Sequence, residues 1–420
     1  MSFQTLNLDV VDIILSFIEP HEALSLTTTC RALHIPATRR LLYEFDSAFF
    51  YVEAAQRILR FCDYMLADRR HRPQCLRVFY LRLWSLRKMQ VDPAIYVRLA
   101  DVIRHATGLR KVFVTDNLDA FFSNTYLSLA DAIAEVESLE HVEFDCVPRN
   151  RVALFLSRMK SRPRVLKCTM SSPIGSNVAK VVTPKPTQFL RNFTGCLTKL
   201  VLDRALELIA EIEPYTVWPH VQELVLGEWV VTDEIWRLII RAFPNVRTLC
   251  FCEAVRSRCT PMARLGLQWS SLDLVRTSCP LPIQCHVRRV ELDVILHGNN
   301  PSSINEVTDC SEMLRCASPT ALTCHLYNLS LRCVADCFHS LHILRLVTIS
   351  HGWRDLGADT EGGMNEKIVS VALVRPLMLI ILINLVSVIL RQRLRRRGSA
   401  LSWSTCLGLP AIPSSSLMPS

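Results

Sequence analysis

A six-residue pattern, apolar-x-x-apolar-x-apolar, recurs through most of this chain, and two of its copies are close enough to align. WPHVQELVL (218–226) and FPNVRTLCF (243–251) match position for position at an interval of 25. Further copies start at Leu76, Leu109, Leu139, Val165, Leu197, Trp269, Val287 and Leu341, with a poorer one at Pro319. In a chain that is 50% apolar, the bare pattern arises by chance at about one position in eight, so recurrence alone decides little. The polar pair shared by LRKVFV, LEHVEF, LTKLVL and VRRVEL is more telling, as are the helical runs between copies. Three such runs are 92–108, 127–138 and 232–245. The last has Thr232 as N-cap and Asp233 and Glu234 as first-turn acids, though Ile235 stands where a capping box needs Glu or Gln.

Strand, turn and helix repeated at about 18–33 residues resemble a leucine-rich-repeat solenoid. The expected fold class is α/β: an irregular repeat domain over 75–350 in which parallel strands alternate with helices. The repeats are degenerate, since the family's asparagine after the first leucine is clear only at Asn117. An ordinary α/β domain is the alternative. Side chains alternate along a strand, so the third and fifth motif positions face away from the core. On a solenoid that surface is the concave one, and it would hold a protein target. The candidates are Tyr80, Lys111, Phe113, His141, Glu143, Lys199, Glu223, Arg289, Glu291 and Arg345. Their mixture of signs and aromatics suits a protein or peptide better than a polyphosphate.

Residues 6–45 form a separate unit. Val10, Ile13, Ile14, Phe17 and Ile18 fall at helical spacing after Asp9, Pro20 opens a second helix to about Thr28, and a third segment runs from about Cys30 to Tyr43, with a kink or break expected at Pro36. Leu8, Val11 and Leu15 add apolar groups on the opposite side of the first helix, more than a forty-residue trio readily buries alone, which argues for a partner. Leu6, Leu8-Asp9, Ile14-Leu15, Phe17-Ile18, Pro20, Leu24, Leu26 and Cys30-Arg31 follow the order and spacing of an F-box, and over this tenth of the chain the sequence resembles that family. It departs at Asn7, where the family has proline, at Thr29, where it has an apolar residue, and at Leu33-His34, where it often has tryptophan. The resemblance implies a three-helix F-box over 1–45 that docks on the Skp adaptor of a cullin–RING ubiquitin ligase. The docking residues it implies are Leu6, Leu8, Ile13, Ile14, Leu15, Phe17, Ile18, Leu24 and Leu26. A helical cap on the following domain is the alternative. A helix within 48–72, with Phe50, Ala54, Ile58, Phe61 and Met65 on its apolar face, is expected to link the two domains (46–74).

Composition narrows the function. The chain carries a net charge of +9, but residues 367–420 contribute Lys367 and six arginines with no acids. Residues 1–366 then hold 48 − 7 = 41 bases against 39 acids, nearly neutral, and charge gives no reason to expect nucleic acid. No phosphate loop, dinucleotide fingerprint, His-Glu-x-x-His or Gly-x-Ser-x-Gly occurs, so no catalytic residue or cofactor is expected. The 17 cysteines include no Cys-x-x-Cys, so no metal site is expected and they read as small buried hydrophobes. Beyond 350 an irregular tail is expected. Its apolar run 368–390 is split by Arg375-Pro376 into pieces shorter than the ~20 residues of a spanning helix. The expected location is the cytoplasm or nucleus, with membrane association through 368–390 as the alternative.

Overall fold

The computed structural model describes residues 7–29, 31–47, 54–82, 92–115, 126–147, 149–170, 190–203, 212–227, 233–252, 268–292, 302–325, 341, 343–350 and 365–372. Leu6, Phe50, Asn117 and Thr232 lie outside them, as do residues 373–390 of the apolar run.

Three short helices open the structure: α1 (Leu8–Ser16), α2 (Pro20–Thr29) and α3 (Arg31–Leu41). Asn7, where the F-box pattern has proline, caps α1: its side-chain oxygen accepts the Asp9 N–H at 3.1 Å. Helix α3 runs through Pro36 without the break expected there, and Pro36 is buried in it. The trio has a small core of its own, Val11, Leu15 and Leu33, with Ile18 and Leu26 packed against it.

The rest is one sheet of thirteen strands in chain order. The strands are β1 (Glu44–Asp46), β2 (Val78–Arg82), β3 (Lys111–Thr115), β4 (His141–Val147), β5 (Val165–Met170), β6 (Lys199–Asp203), β7 (Glu223–Gly227), β8 (Thr248–Cys252), β9 (Ser271–Thr277), β10 (His286–Leu292), β11 (Ala321–His325), β12 (Ile343–Ser350) and β13 (Asn365–Ala372). Every neighbouring pair from β1 to β12 is parallel, and β13 closes antiparallel on β12. Between the strands lie α4 (Ala54–Ala67), α5 (Pro93–His105), α6 (Leu127–Glu135), α7 (Arg149–Arg158), α8 (Asp233–Ala242) and α9 (Ser302–Ala317). The solenoid-like alternation follows from parallel pairing, which requires each strand to be reached by a crossover.

One register row explains why the copies stack. Phe45, Phe79, Val112, Val142, Leu166, Leu200, Leu224, Leu249, Val275, Val290 and Leu322 lie opposite one another on successive strands, and all are buried. The fourth motif position is therefore a continuous apolar ladder, each full burial being favourable by about 1.5–3 kcal/mol. Two residues on, Leu81, Val114, Phe144, Cys168, Leu202, Leu226 and Phe251 form a second buried ladder.

The helices cover these ladders and stack on one another. Asp92 caps α5 by accepting the Ala94 N–H at 2.9 Å, with Pro93 at its first position, and Ile95, Tyr96, Leu99 and Ile103 turn inward. Tyr96 and Tyr126 share a 3.2 Å hydroxyl contact, Arg98 pairs with Asp63 between α5 and α4, and Arg158 reaches Asp131 of α6 at 2.9 Å. Between β7 and β9 the repeat is most regular. Trp218 and Phe243 stack at 5.2 Å, and the Trp269 indole N–H donates to the Phe243 carbonyl at 2.8 Å.

Four features differ from the sequence expectation. Strand β1 straddles the boundary drawn at 45/46 because Leu42-Tyr43-Glu44-Phe45 continues the apolar-x-x-apolar motif in front of Leu76. Helix α4 ends at Ala67, short of residue 72, and its Ile58, Cys62 and Met65 belong to the continuous repeat core. The copies placed at Val165 and Trp269 start at Pro163 and Leu272 instead, since Val165 pairs with His141 and Leu274 with Thr248. Trp269 occupies the place of Trp218 and Phe243, three residues before the motif. Finally, residues 365–372 of the expected irregular tail form β13, so the first five residues of the apolar run are strand. Among the described residues no helix is long and apolar enough to cross a membrane.

Candidate functional site

Two surfaces present side chains that folding leaves unused. The first is the outer face of the trio. Helix α1 turns Val11 and Leu15 inward onto Leu33, and this places Val10, Ile13, Ile14 and Phe17 on the outside. Phe17 is 85% exposed and Ile13 59%, and Leu24 of α2 and Ile35 of α3 are exposed as well. Of the expected docking residues, the structure brings Ile13, Ile14, Phe17 and Leu24 to the surface. Ile18 and Leu26 are half-buried against the small core, and Leu15 is 3% exposed within it. Leu8 opens α1, and Leu6 lies outside the described residues. Leu15 therefore supports the trio, while Val10 and Ile35, which the sequence pattern does not single out, join the outer face.

The second surface is the uncovered face of the sheet, built by the third and fifth motif positions. The third-position row reads Glu44, Val78, Lys111, His141, Val165, Lys199, Glu223, Thr248, Leu274, Arg289, Ala321, Ile343. The fifth-position row reads Asp46, Tyr80, Phe113, Glu143, Lys167, Val201, Val225, Cys250, Arg276, Glu291, Thr323, Arg345. All ten expected residues stand in these two rows. The expectation omits Lys167 and Arg276 because Pro163 and Trp269 disguise the start of their copies.

Three clusters divide the face. On β2–β5, Tyr80 stacks on Phe113 with centroids 4.3 Å apart, and Phe113 lies 4.9 Å from the His141 ring. His141 Nε2 is 3.8 Å from Glu143, which also pairs with Lys167. The neighbouring His141 ring, followed by the hydrogen bond from Lys167, holds the Glu143 carboxyl below its ordinary range against the effect of burial. Burial first, then Glu44, Asp46 and Glu143, pushes the Tyr80 hydroxyl up. In the middle, Val165, Val201, Val225, Cys250 and Leu274 form an apolar strip beside the 2.7 Å Lys199–Glu223 pair. On β9–β10, Glu291 is 6% exposed and held by Arg276 at 2.5 Å and Arg289 at 2.6 Å. Two guanidiniums on one carboxylate leave this cluster cationic, and Arg345 stands two strands further along its row.

Between the trio and the start of the sheet opens a cleft of about 1290 Å³, whose walls include Arg39, Tyr43, Arg77, Tyr80 and Lys111. Cys62, Cys75, Cys168, Cys196, Cys285 and Cys316 are free thiols. Burial pushes Cys62 and Cys168 up to about 12 and Cys285 up to about 11, which removes their nucleophilic form at neutral pH. Among the described residues no three His, Cys, Asp or Glu side chains converge in a metal-binding arrangement.

No family model matches the chain, and no curated protein matches it by sequence.

Proposed function

We propose that this protein is a substrate receptor: the helical trio acts as an F-box that docks on a Skp adaptor, and the uncovered face of the repeat sheet holds a protein target. The observation that carries the reading is the division of α1, with Val11 and Leu15 buried inside the trio and Ile13, Ile14 and Phe17 left outside with Leu24. A cluster of exposed apolar side chains on so small a unit marks a surface for protein contact. The mechanism is proximity. The adaptor and cullin bring a charged ubiquitin carrier, the sheet presents a target lysine, and the chain itself performs no chemistry and needs no cofactor.

The test is co-purification of the full chain with the Skp adaptor. The wild type is expected to give a stoichiometric complex that Phe17→Asp abolishes, since a charge replaces the centre of the patch. Tyr215→Asp, at a residue 95% exposed elsewhere, is expected to retain it. Absence of a wild-type complex, or a complex indifferent to Phe17→Asp, would overturn the adaptor reading and leave a repeat scaffold that binds protein without a ligase.

A further inference from the structure

The second motif position builds a third row, outside both faces, along the edge where the strands begin. Its backbone is fixed by a continuous ladder. Arg77 N–H donates to the Tyr43 carbonyl at 2.8 Å, Arg110 to Arg77 at 2.9 Å, Glu140 to Arg110 at 2.8 Å, Arg164 to Glu140 at 2.8 Å and Thr198 to Arg164 at 2.8 Å. It continues from Gln222 to Thr198 at 2.8 Å, Arg247 to Gln222 at 2.8 Å and Asp273 to Arg247 at 2.7 Å. Arg288 follows in register, between the pairs Val287–Leu272 and Arg289–Leu274. The row thus carries five arginines, Arg77, Arg110, Arg164, Arg247 and Arg288, against two acids, Glu140 and Asp273. Glu140 is taken by Arg110 at 2.7 Å. Arg164, Arg247 and Arg288 are exposed and make no ion pair among the described residues. Lys111, exposed beside Arg110, adds to the same edge, and the row begins in the cleft where Arg39 and Arg77 stand.

We infer that this arginine rim holds an extended acidic segment of the protein target, with carboxylate or phosphate side chains seated on Arg77, Arg164, Arg247 and Arg288. The inference deepens the target-holding half of the proposed function and rests on that reading. Guanidinium groups offer forked donors that match either anion. Successive strands are about 4.8 Å apart, so the anion sites fall about 14, 14 and 10 Å from one another, over about 38 Å in all. An extended peptide rises about 3.3 Å per residue, and a segment of about twelve residues with acids spaced about four, four and three apart meets all four. Nucleic acid fits worse: a strand with a phosphate about every 3.4 Å cannot avoid the two acids of the row, whereas a peptide can place neutral residues there.

The experiment is fluorescence anisotropy of the full chain with a labelled peptide of that length and spacing, in glutamate and phosphoserine versions, competed by duplex DNA. Binding is expected to weaken steeply with salt. The triple variant Arg164→Glu, Arg247→Glu, Arg288→Glu is expected to weaken it at least about 30-fold, at about tenfold for each pair of lost contacts. The stronger of the two peptides identifies the anion. Failure of both peptides to bind, equal binding by the triple variant, or tighter binding of DNA would overturn the inference. Adaptor pull-down on the same triple variant separates the two readings. A retained complex shows an intact chain whose rim alone has failed or succeeded, and no wild-type complex refutes the adaptor reading without touching the peptide result.

Discussion

In the first forty residues, Val11, Leu15 and Leu33 form a small core while Val10, Ile13, Ile14, Phe17, Leu24 and Ile35 face outward; in the sheet, every rung from Phe45 to Leu322 is buried and the uncovered face is polar or mixed. The trio holds back apolar area that its own folding does not use, and the solenoid uses most of its apolar area in stacking, leaving on its open face the strip of Val165, Val201, Val225, Cys250 and Leu274. The two regions therefore recognise partners by different chemistry. A trio of this composition offers an apolar contact, while the sheet offers charges and aromatic rings fixed at strand spacing.

The largest effect separating the regions is expected from paired truncations. Leu200→Ala, at the centre of the ladder, should lower unfolding stability by about 2–5 kcal/mol, whereas Phe17→Ala should change it by less than about 0.5 kcal/mol. Denaturant titration of both variants checks this, and a large loss from Phe17→Ala would show that the outer face already has an internal partner. Next, Leu15→Asp should unfold the trio by placing a charge in its core while proteolysis leaves the repeat domain intact. Cleavage throughout the chain would mean that the two regions fold as one. On the sheet, removing both Arg276 and Arg289 strands the buried Glu291 carboxylate and should cost about 2 kcal/mol, measured against the Glu291→Gln variant.

A smaller, pH-dependent effect belongs to Glu143. Its folded value lies below the ordinary 4.5, so its contribution is present above that value and is lost as the pH falls through the lower folded value. The stability gap between wild type and Glu143→Gln should narrow as the pH is taken from about 6 to about 3. A constant gap would show that the contacts with His141 and Lys167 do not bias the titration. The slightest effect is kinetic. Cys75, Cys196 and Cys316, only half-buried, should react with a thiol reagent before Cys62 and Cys168, whose thiols open only with the core.

Much of this architecture was legible because apolar spacing determines which face a residue joins. The motif positions of β2, β3, β4, β6, β7, β8, β10, β11 and β12, and the runs that became α5, α6 and α8, could be read directly. Errors arose where a side chain could serve in two registers. Pro163 hid the start of one copy, and Trp269 imitated the start of another, which moved Lys167 and Arg276 out of view. The first repeat does not stand out in the sequence because Phe45 follows a helical unit with no break in apolar density. On α1 the pattern marks both sides as apolar, and only the packing of Val11 and Leu15 on Leu33 decides which side is free. The arginine rim was visible as a polar pair inside the motif, but its alignment needed the backbone ladder.

The chain between successive rungs varies widely, from 34 residues between Phe45 and Phe79 to 15 between Val275 and Val290, yet the strands take consecutive places in one sheet. The shortest interval has only residues 278–285 between its strands, burying Cys279, Leu281, Ile283 and Cys285 where other repeats place a helix. Insertions and deletions on the covered side are thus absorbed without moving the graduations on the open side. The sheet works as a ruler whose markings stay fixed while the material behind them is free to drift.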